Sequence, residues 1–229
     1  MIAATNPRNR AGRGLRALAA TLIGSLVAVV SLAAPLTPGD AQQEWQFRVL
    51  LDGKEIGFHS FDLTEEEGRY RLKSEAEFKV SFLFFDAYRY RHVNEEIWDD
   101  KCLQRIDART DVNGDSLAVR GEQADAGFVI ATGKEQTVLG GCIMSFAYWN
   151  PEFLDQKRLL NSQTGEYVPV SIQPIGEEQI EIRGQSVDAV RYTLDAGKLD
   201  MQLWYTPDRR WLALESKTKG DRVLRYELR

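Results

Sequence analysis

The 229-residue chain carries 29 lysines and arginines against 34 aspartates and glutamates, a net charge of −5. This acidic balance, with no basic cluster interleaved with aromatic residues, argues against nucleic acid as a partner. With two cysteines and two histidines at scattered positions, the close ligand pairs of a structural zinc site are missing as well.

Arg8, Arg10, Arg13 and Arg16 precede an uncharged apolar run from Ala17 to Ala34, the layout of an export signal. Gly39-Asp40-Ala41 offers small residues where a signal peptidase reads the chain. Residues 1–41 are therefore expected to be a cleaved signal peptide. The mature protein would start near Gln42, work in the periplasm or as a secreted protein, and touch the membrane only through its export signal. The alternative is an uncleaved anchor, since the apolar run is at the lower length limit for crossing a bilayer. No cysteine lies near the cleavage region, which excludes a lipoprotein anchor, and the arginines are never adjacent, which argues against a twin-arginine route. The leader holds four arginines and one aspartate, so residues 42–229 carry about −8 of charge. Those 188 residues are enough for a single β-rich domain with a real core.

From Gln42 onward the dominant signal has period two. Trp45, Phe47, Val49 and Leu51 alternate with polar residues. Between Arg69 and Phe82, Tyr70, Leu72, Ala76, Phe78, Val80 and Phe82 share one parity and the charged residues the other. One wet and one dry face per strand is the mark of antiparallel sheets. The pattern returns at Ile180 and Ile182 and at Leu199, Met201, Leu203 and Tyr205. Turn pairs punctuate it at Asp52-Gly53, Glu67-Gly68, Asn113-Gly114, Gly133-Lys134, Ala196-Gly197 and Lys219-Gly220. The expected fold is all-β: a single curved antiparallel meander of about eleven strands, forming an open or closed barrel-like sheet.

The segment Ala87–Trp98 breaks the pattern. If Arg89, Arg91 and Glu95 face solvent, then Tyr88, Tyr90, His92, Asn94, Glu96 and Trp98 point inward. Buried polar side chains must be paired or wetted, so this face forms a satisfied network, lines a ligand cavity, or holds a general base in Glu96 or His92. His59, the other histidine, should lie about 10 Å from His92 with one strand between them, too far to share a metal ion. His92 and Glu96, four residues apart on one strand, would be separated by about 13 Å and form no local acid–base pair.

Cys102 and Cys142 form an isolated pair, which in an oxidising compartment reads as one disulfide, with two buried reduced thiols as the alternative. Between Cys142 and Asn161 the alternation stops, and Phe146, Tyr148, Trp149, Phe153 and Leu154 crowd together. Asn150 can cap a helix and Pro151 suits its first turn, so a short helical lid is expected from Pro151 to about Lys157.

Other strings carry no chemistry. Gly127–Lys134 has the wrong spacing for a phosphate loop and is followed by Glu135. Asp111–Asp115 lacks the full ligand series of a calcium loop. Asp99-Asp100 reads as a turn. No cofactor and no metal is expected.

The strings Ile56-Gly57-Phe58-His59, Tyr88-x-Tyr90-x-His92 with Glu96-x-Trp98, Gly141-Cys142, Ser145–Pro151, Leu159-Leu160-Asn161, Thr164-Gly165-Glu166, Leu203-Trp204-Tyr205 and Trp211–Ser216 resemble an uncharacterised family of exported bacterial proteins, the domain-of-unknown-function family numbered six-one-three-four. The resemblance spans nearly all of residues 42–229 and implies export, but it supplies no activity. A looser architectural similarity links the expected sheet to periplasmic carriers of lipoproteins and lipids. The expected function is binding of an amphiphilic or hydrophobic small ligand, or a lipid, or a role in envelope maintenance. Tyr88, Tyr90, His92, Glu96, Trp98, His59 and Trp149 are the candidate ligand-binding residues. The alternatives are a hydrolase-like enzyme and a structural, partner-binding envelope protein.

Overall fold

The computed structural model describes residues 42–82, 85–197, 199–218 and 220–229, with side chains throughout except at residues 82 and 85–87. The export-signal reading of residues 1–41 and the Lys219 half of one turn pair fall outside them.

The chain first runs as a meander of eight strands: β1 (Gln42–Leu51), β2 (Lys54–Glu66), β3 (Arg69–Phe82), β4 (Phe85–Asp99), β5 (Cys102–Val112), β6 (Asp115–Ala124), β7 (Gly127–Thr132) and β8 (Glu135–Leu139). A connection follows, containing a 3₁₀ turn at Pro151–Asp155 and a small hairpin of β9 (Arg158–Leu160) and β10 (Tyr167–Pro169). A second meander closes the chain with β11 (Ser171–Ile182), β12 (Gln185–Asp195), β13 (Asp200–Tyr205), β14 (Trp211–Lys217) and β15 (Val223–Leu228). β15 pairs with β1, so the two meanders fuse into one antiparallel sheet of 13 strands in the order β11-β12-β13-β14-β15-β1-β2-β3-β4-β5-β6-β7-β8.

The all-β antiparallel expectation holds, with more strands than the eleven anticipated, and the sheet stays open at β11 and β8. Two hairpins account for the difference. The β11–β12 turn is Arg183-Gly184, both with positive φ (53° and 74°), an arginine standing where Asn or Asp usually signals such a turn. The β6–β7 turn, Asp125-Ala126, has no glycine of its own.

Alternation places Phe47, Val49 and Leu51 of β1, Leu72, Ala76 and Phe78 of β3, and Ile106 and Ala108 of β5 in one buried face. An open curved sheet of this size would leave that face wet, and the connection after β8 prevents it. Ile143, Met144, Ala147, Phe153, Leu159 and Leu160 are all buried within the same core. Backbone bonds fix the segment: Leu103 N–H to the Ile143 carbonyl, Leu160 N–H to the Met144 carbonyl, and a parallel bridge between Ser145 and Leu160. It also reaches the second meander, where Tyr205 donates its hydroxyl to the Tyr148 carbonyl and Arg209 pairs with Asp155.

The helical expectation is thus shortened to a 3₁₀ turn that ends at Asp155, with Asn150 capping it through the Glu152 N–H as anticipated. The Cys102–Cys142 disulfide is formed, with the two Cα atoms 5.0 Å apart, and joins the start of β5 to the start of this connection.

Ile180 and Ile182 alternate as expected but do not face the main core. They pack with Val187 against Trp204, Leu212 and Ala213 in a second apolar cluster, separate from the main core. Beyond a register shift at Pro174/Gly176, the β11–β12 hairpin lies against the face of β13 opposite to Leu203 and Tyr205, and Glu178 accepts the indole N–H of Trp204. Strand β13 is buried on both faces for this reason.

Candidate functional site

The inward row of β4 is the centre of the site. Tyr90, His92, Asn94, Glu96 and Trp98 are buried, and Arg91 and Glu95 are exposed, so the expected parity holds over this stretch. Val93 and Ile97, the apolar residues on the solvent side, are half-buried. Register then sets the neighbours: His59 of β2 and His92 of β4 each pair with Ala76 of β3, and Asn94 pairs with Ser74. The two histidines are separated by one strand, as expected from the sequence.

Hydroxyl-bearing side chains flank both imidazoles. His59 lies 3.2 Å from the Tyr226 hydroxyl through Nδ1 and 3.0 Å from the Ser74 hydroxyl through Nε2. His92 lies 2.9 Å from Thr110 Oγ1 through Nδ1 and 3.4 Å from Ser162 Oγ through Nε2. Burial holds both imidazoles neutral, His59 down to about 3, with a smaller contribution from nearby His92, and His92 down to about 4. Glu96, 2 % exposed, accepts from Asn94 Nδ2 at 2.9 Å and from Trp98 Nε1 at 3.0 Å, and Ser145 also bonds to it. Burial pushes its carboxyl group up, and those three bonds oppose the shift.

These residues line a partly open cavity of about 100 Å³. Its floor is His59, Ser74, Tyr90, His92, Asn94 and Glu96 from the sheet, and its other wall is Ser145, Phe146, Tyr148 and Trp149 from the connection, with Tyr226 of β15. Two buried polar atoms on residues that line it have no hydrogen-bond partner, the acceptor Asn94 Oδ1 and the donor Trp149 Nε1. Buried polar atoms are rarely left so. A cavity of this size admits a few water molecules or a ligand group of a few heavy atoms.

Of the candidates read from sequence, His59, Tyr90, His92, Glu96 and Trp149 line this one cavity. Trp98 stands behind it, fully buried, fixing Glu96 and meeting Trp149 edge-on with ring centroids 5.6 Å apart. Tyr88 is not among the lining residues and is 37 % exposed. The β4–β5 ladder ends at Tyr90–Val112, so no β5 residue covers Tyr88.

Ser74, Ser145, Tyr148, Ser162 and Tyr226 line the cavity without being among the ligand-binding residues expected from the sequence. Ser74 lies on the inward parity of β3, and Tyr148 in the aromatic run, so both were within reach of the pattern. Ser145, Ser162 and Tyr226 reach the site through the connection and the β1–β15 pairing, which no local pattern reveals.

The geometry gives limited scope for acid–base chemistry. Ser162 Oγ and His92 Nε2 resemble a nucleophile and its base, but the far ring nitrogen meets the neutral Thr110 hydroxyl rather than a carboxylate that would stabilise an imidazolium. Glu96 has both oxygens engaged by donors. Among the described residues, no group of three or more His, Cys, Asp or Glu is placed to hold a metal ion.

A family model described as a domain of unknown function, DUF6134, matches residues 47–229. No curated protein matches the chain. Among solved structures, the chain is similar to a β-barrel-like protein of the domain of unknown function DUF1849 from Brucella abortus, with a TM-score of 0.58 and 11 % identity over 81 % of this chain and 95 % of that one. At that identity the likeness concerns the fold.

Proposed function

The chain belongs to the DUF6134 family over residues 47–229, and from that premise we propose, on its own geometry, that it is an exported binding protein whose interior cavity takes a small polar ligand or the polar head of an amphiphile. The observation that carries this reading is the pair of unpartnered buried atoms, Asn94 Oδ1 and Trp149 Nε1, on residues of the same cavity. One calls for a donor and the other for an acceptor, so a single group offering both would satisfy the site. Aromatic walls with a few converging polar atoms are the usual construction of small-ligand sites.

The cavity volume of about 100 Å³ restricts the enclosed part to a few heavy atoms, and an acyl chain would have to remain outside it. The larger groove on the opposite face of β4 and β5, about 440 Å³, has Arg71, Glu95, Arg105 and Arg109 in its lining. These side chains are solvated, which gives a ligand little to gain by replacing their water. Export fits the disulfide, which needs an oxidising compartment to persist.

Native mass spectrometry of the full chain, processed by its host and purified from the envelope fraction, followed by organic extraction, tests the reading. A stoichiometric small molecule, lost on substitution of Asn94 or Trp149 in folded protein, supports it. A protein that is empty as isolated, and whose tryptophan emission is unmoved by extracts of its own envelope, overturns it.

A further inference from the structure

The charge of the cavity narrows the ligand. Glu96 Oε1 and Oε2 accept from Asn94 Nδ2 and Trp98 Nε1, groups that can only donate, with Ser145 adding a further bond. With both oxygens accepting from groups that can only donate, the hydrogen bonds favour the carboxylate form, against the upward push of burial. Among the described residues none makes an ion pair with it, and the two histidines on the same cavity are held neutral by burial. In the carboxylate form Glu96 places one negative charge on the cavity with no cation beside it among the described residues, and a buried carboxylate so placed either takes up a proton or gains from a cation brought by a ligand.

The walls suit that missing cation. Tyr90, Phe146, Tyr148, Trp149 and Tyr226 line the cavity together with Glu96, and aromatic faces attract a desolvated cation through their quadrupoles. Asn94 Oδ1 is a free acceptor on the residue that also bonds Glu96. Trp149 Nε1–H, the free donor, requires an oxygen on the same ligand.

We propose that the cavity selects a small protonated amine bearing an oxygen acceptor a few bonds from its nitrogen, the amino-alcohol class, with the ammonium group toward Asn94 Oδ1 and Glu96 and the oxygen toward Trp149. This rests on the cavity-binding reading above and adds the sign of the ligand's charge. It excludes carboxylates and phosphates from the enclosed part, because Glu96 would repel them in a medium of low polarity.

The test uses three probes of nearly equal size and different charge on the full processed chain: ethanolamine, ethylene glycol and glycolate, titrated by calorimetry and by tryptophan emission at pH 7.5. Ethanolamine is expected to bind at least ten-fold more tightly than ethylene glycol, with no measurable binding of glycolate. E96Q is expected to lower the ethanolamine affinity at least ten-fold more than it changes that of ethylene glycol. The ranking in the unsubstituted protein decides the matter even if E96Q fails to fold. Equal or tighter binding of ethylene glycol or glycolate overturns the charge assignment and leaves cavity binding standing. Binding of none of the three overturns the amino-alcohol assignment, and the extraction experiment above then decides separately whether the cavity takes any ligand.

Discussion

His59 and His92 stand on either side of Ala76, each in register with it on the strands flanking β3. The alanine side chain is small enough to leave both rings on one cavity, and each ring is held at both nitrogens by neutral hydroxyl-bearing side chains. Hydroxyls can donate or accept, so they satisfy neutral imidazoles without favouring the charged form.

The first prediction concerns pH. A histidine held neutral in the folded state binds fewer protons than in the unfolded chain, so its contribution to stability is full above the unfolded value of 6.5 and is lost as pH falls toward the folded value. That window reaches down to about 4 for His92 and about 3 for His59. At about 1.4 kcal/mol per unit, His92 alone should remove roughly 3 kcal/mol between pH 6.5 and 4. Glu96, pushed up by burial, acts with the opposite sign. Its contribution is full below the ordinary value of 4.5 and declines as pH rises through the folded value. Urea midpoints at pH 7.5, 5.5 and 4.5 should therefore fall steadily, and a flat series would contradict the assignment of neutral histidines.

Removing the Glu96 carboxylate should cost more than its apolar volume. Glu96→Ala strands the donors Asn94 Nδ2 and Trp98 Nε1 in a buried site, at about 1–3 kcal/mol each. We expect a loss of about 3 kcal/mol or more in denaturant unfolding, with Glu96→Gln losing less because its amide oxygen still accepts one of them. Equal losses for the two variants would place the cost in packing instead of the hydrogen bonds.

Gly57 and Gly121 are among the places where strands or rings approach too closely for a side chain. A Cβ at Gly57, whose φ is 157°, would come within 1.8 Å of the Glu77 carbonyl oxygen on β3. One at Gly121 would meet the fully buried Phe128 ring at 2.4 Å. A backbone atom in a ladder cannot move aside as a side chain can, so Gly57→Ala should cost about 3 kcal/mol or more and Gly121→Ala about 1–3 kcal/mol. Gly140→Ala, with nothing within 4 Å of its Cβ, serves as the reference and should stay within about 0.5 kcal/mol of the parent. Thermal midpoints ranked otherwise would contradict this packing.

How much of this was readable from the chain follows from the range of the forces involved. Alternation along β1, β3 and β4 is a local property of successive side chains, and it placed Phe47, Leu72, His92 and Glu96 on the buried face correctly. Glycine-containing turn pairs such as Asn113-Gly114, both with positive φ, marked hairpins for the same reason. The pairing of β15 with β1, which carries Tyr226 to His59, joins residues 167 positions apart and leaves no periodic trace. Ile180 and Ile182 alternate as core residues do, and the structure places them on the second cluster around Trp204. Periodicity shows that a face is buried and does not show against what. Asn94 and Trp149 became informative only as atoms without partners, a property that exists once the structure has closed around them.

The last prediction links the disulfide to the site. Cys102 and Cys142 are 40 positions apart, and breaking a cross-link over such a loop should cost about 4 kcal/mol in the chain-entropy model. The bond stands at the entry of the connection that supplies Ser145, Phe146, Tyr148 and Trp149 to the cavity. Next to it, one backbone hydrogen bond, from Leu103 N–H to the Ile143 carbonyl, ties that stretch to β5. Reduction should therefore act on the cavity wall before the sheet. Cys102→Ser/Cys142→Ser protein, or parent protein in reductant, should show a lower urea midpoint and faster proteolytic cleavage between residues 140 and 166. Its far-ultraviolet strand signal should remain, because the 13-strand ladder does not pass through the bond. Cleavage first in β1–β4 would mean that the disulfide supports the sheet itself and that the connection is held in place by its buried side chains alone.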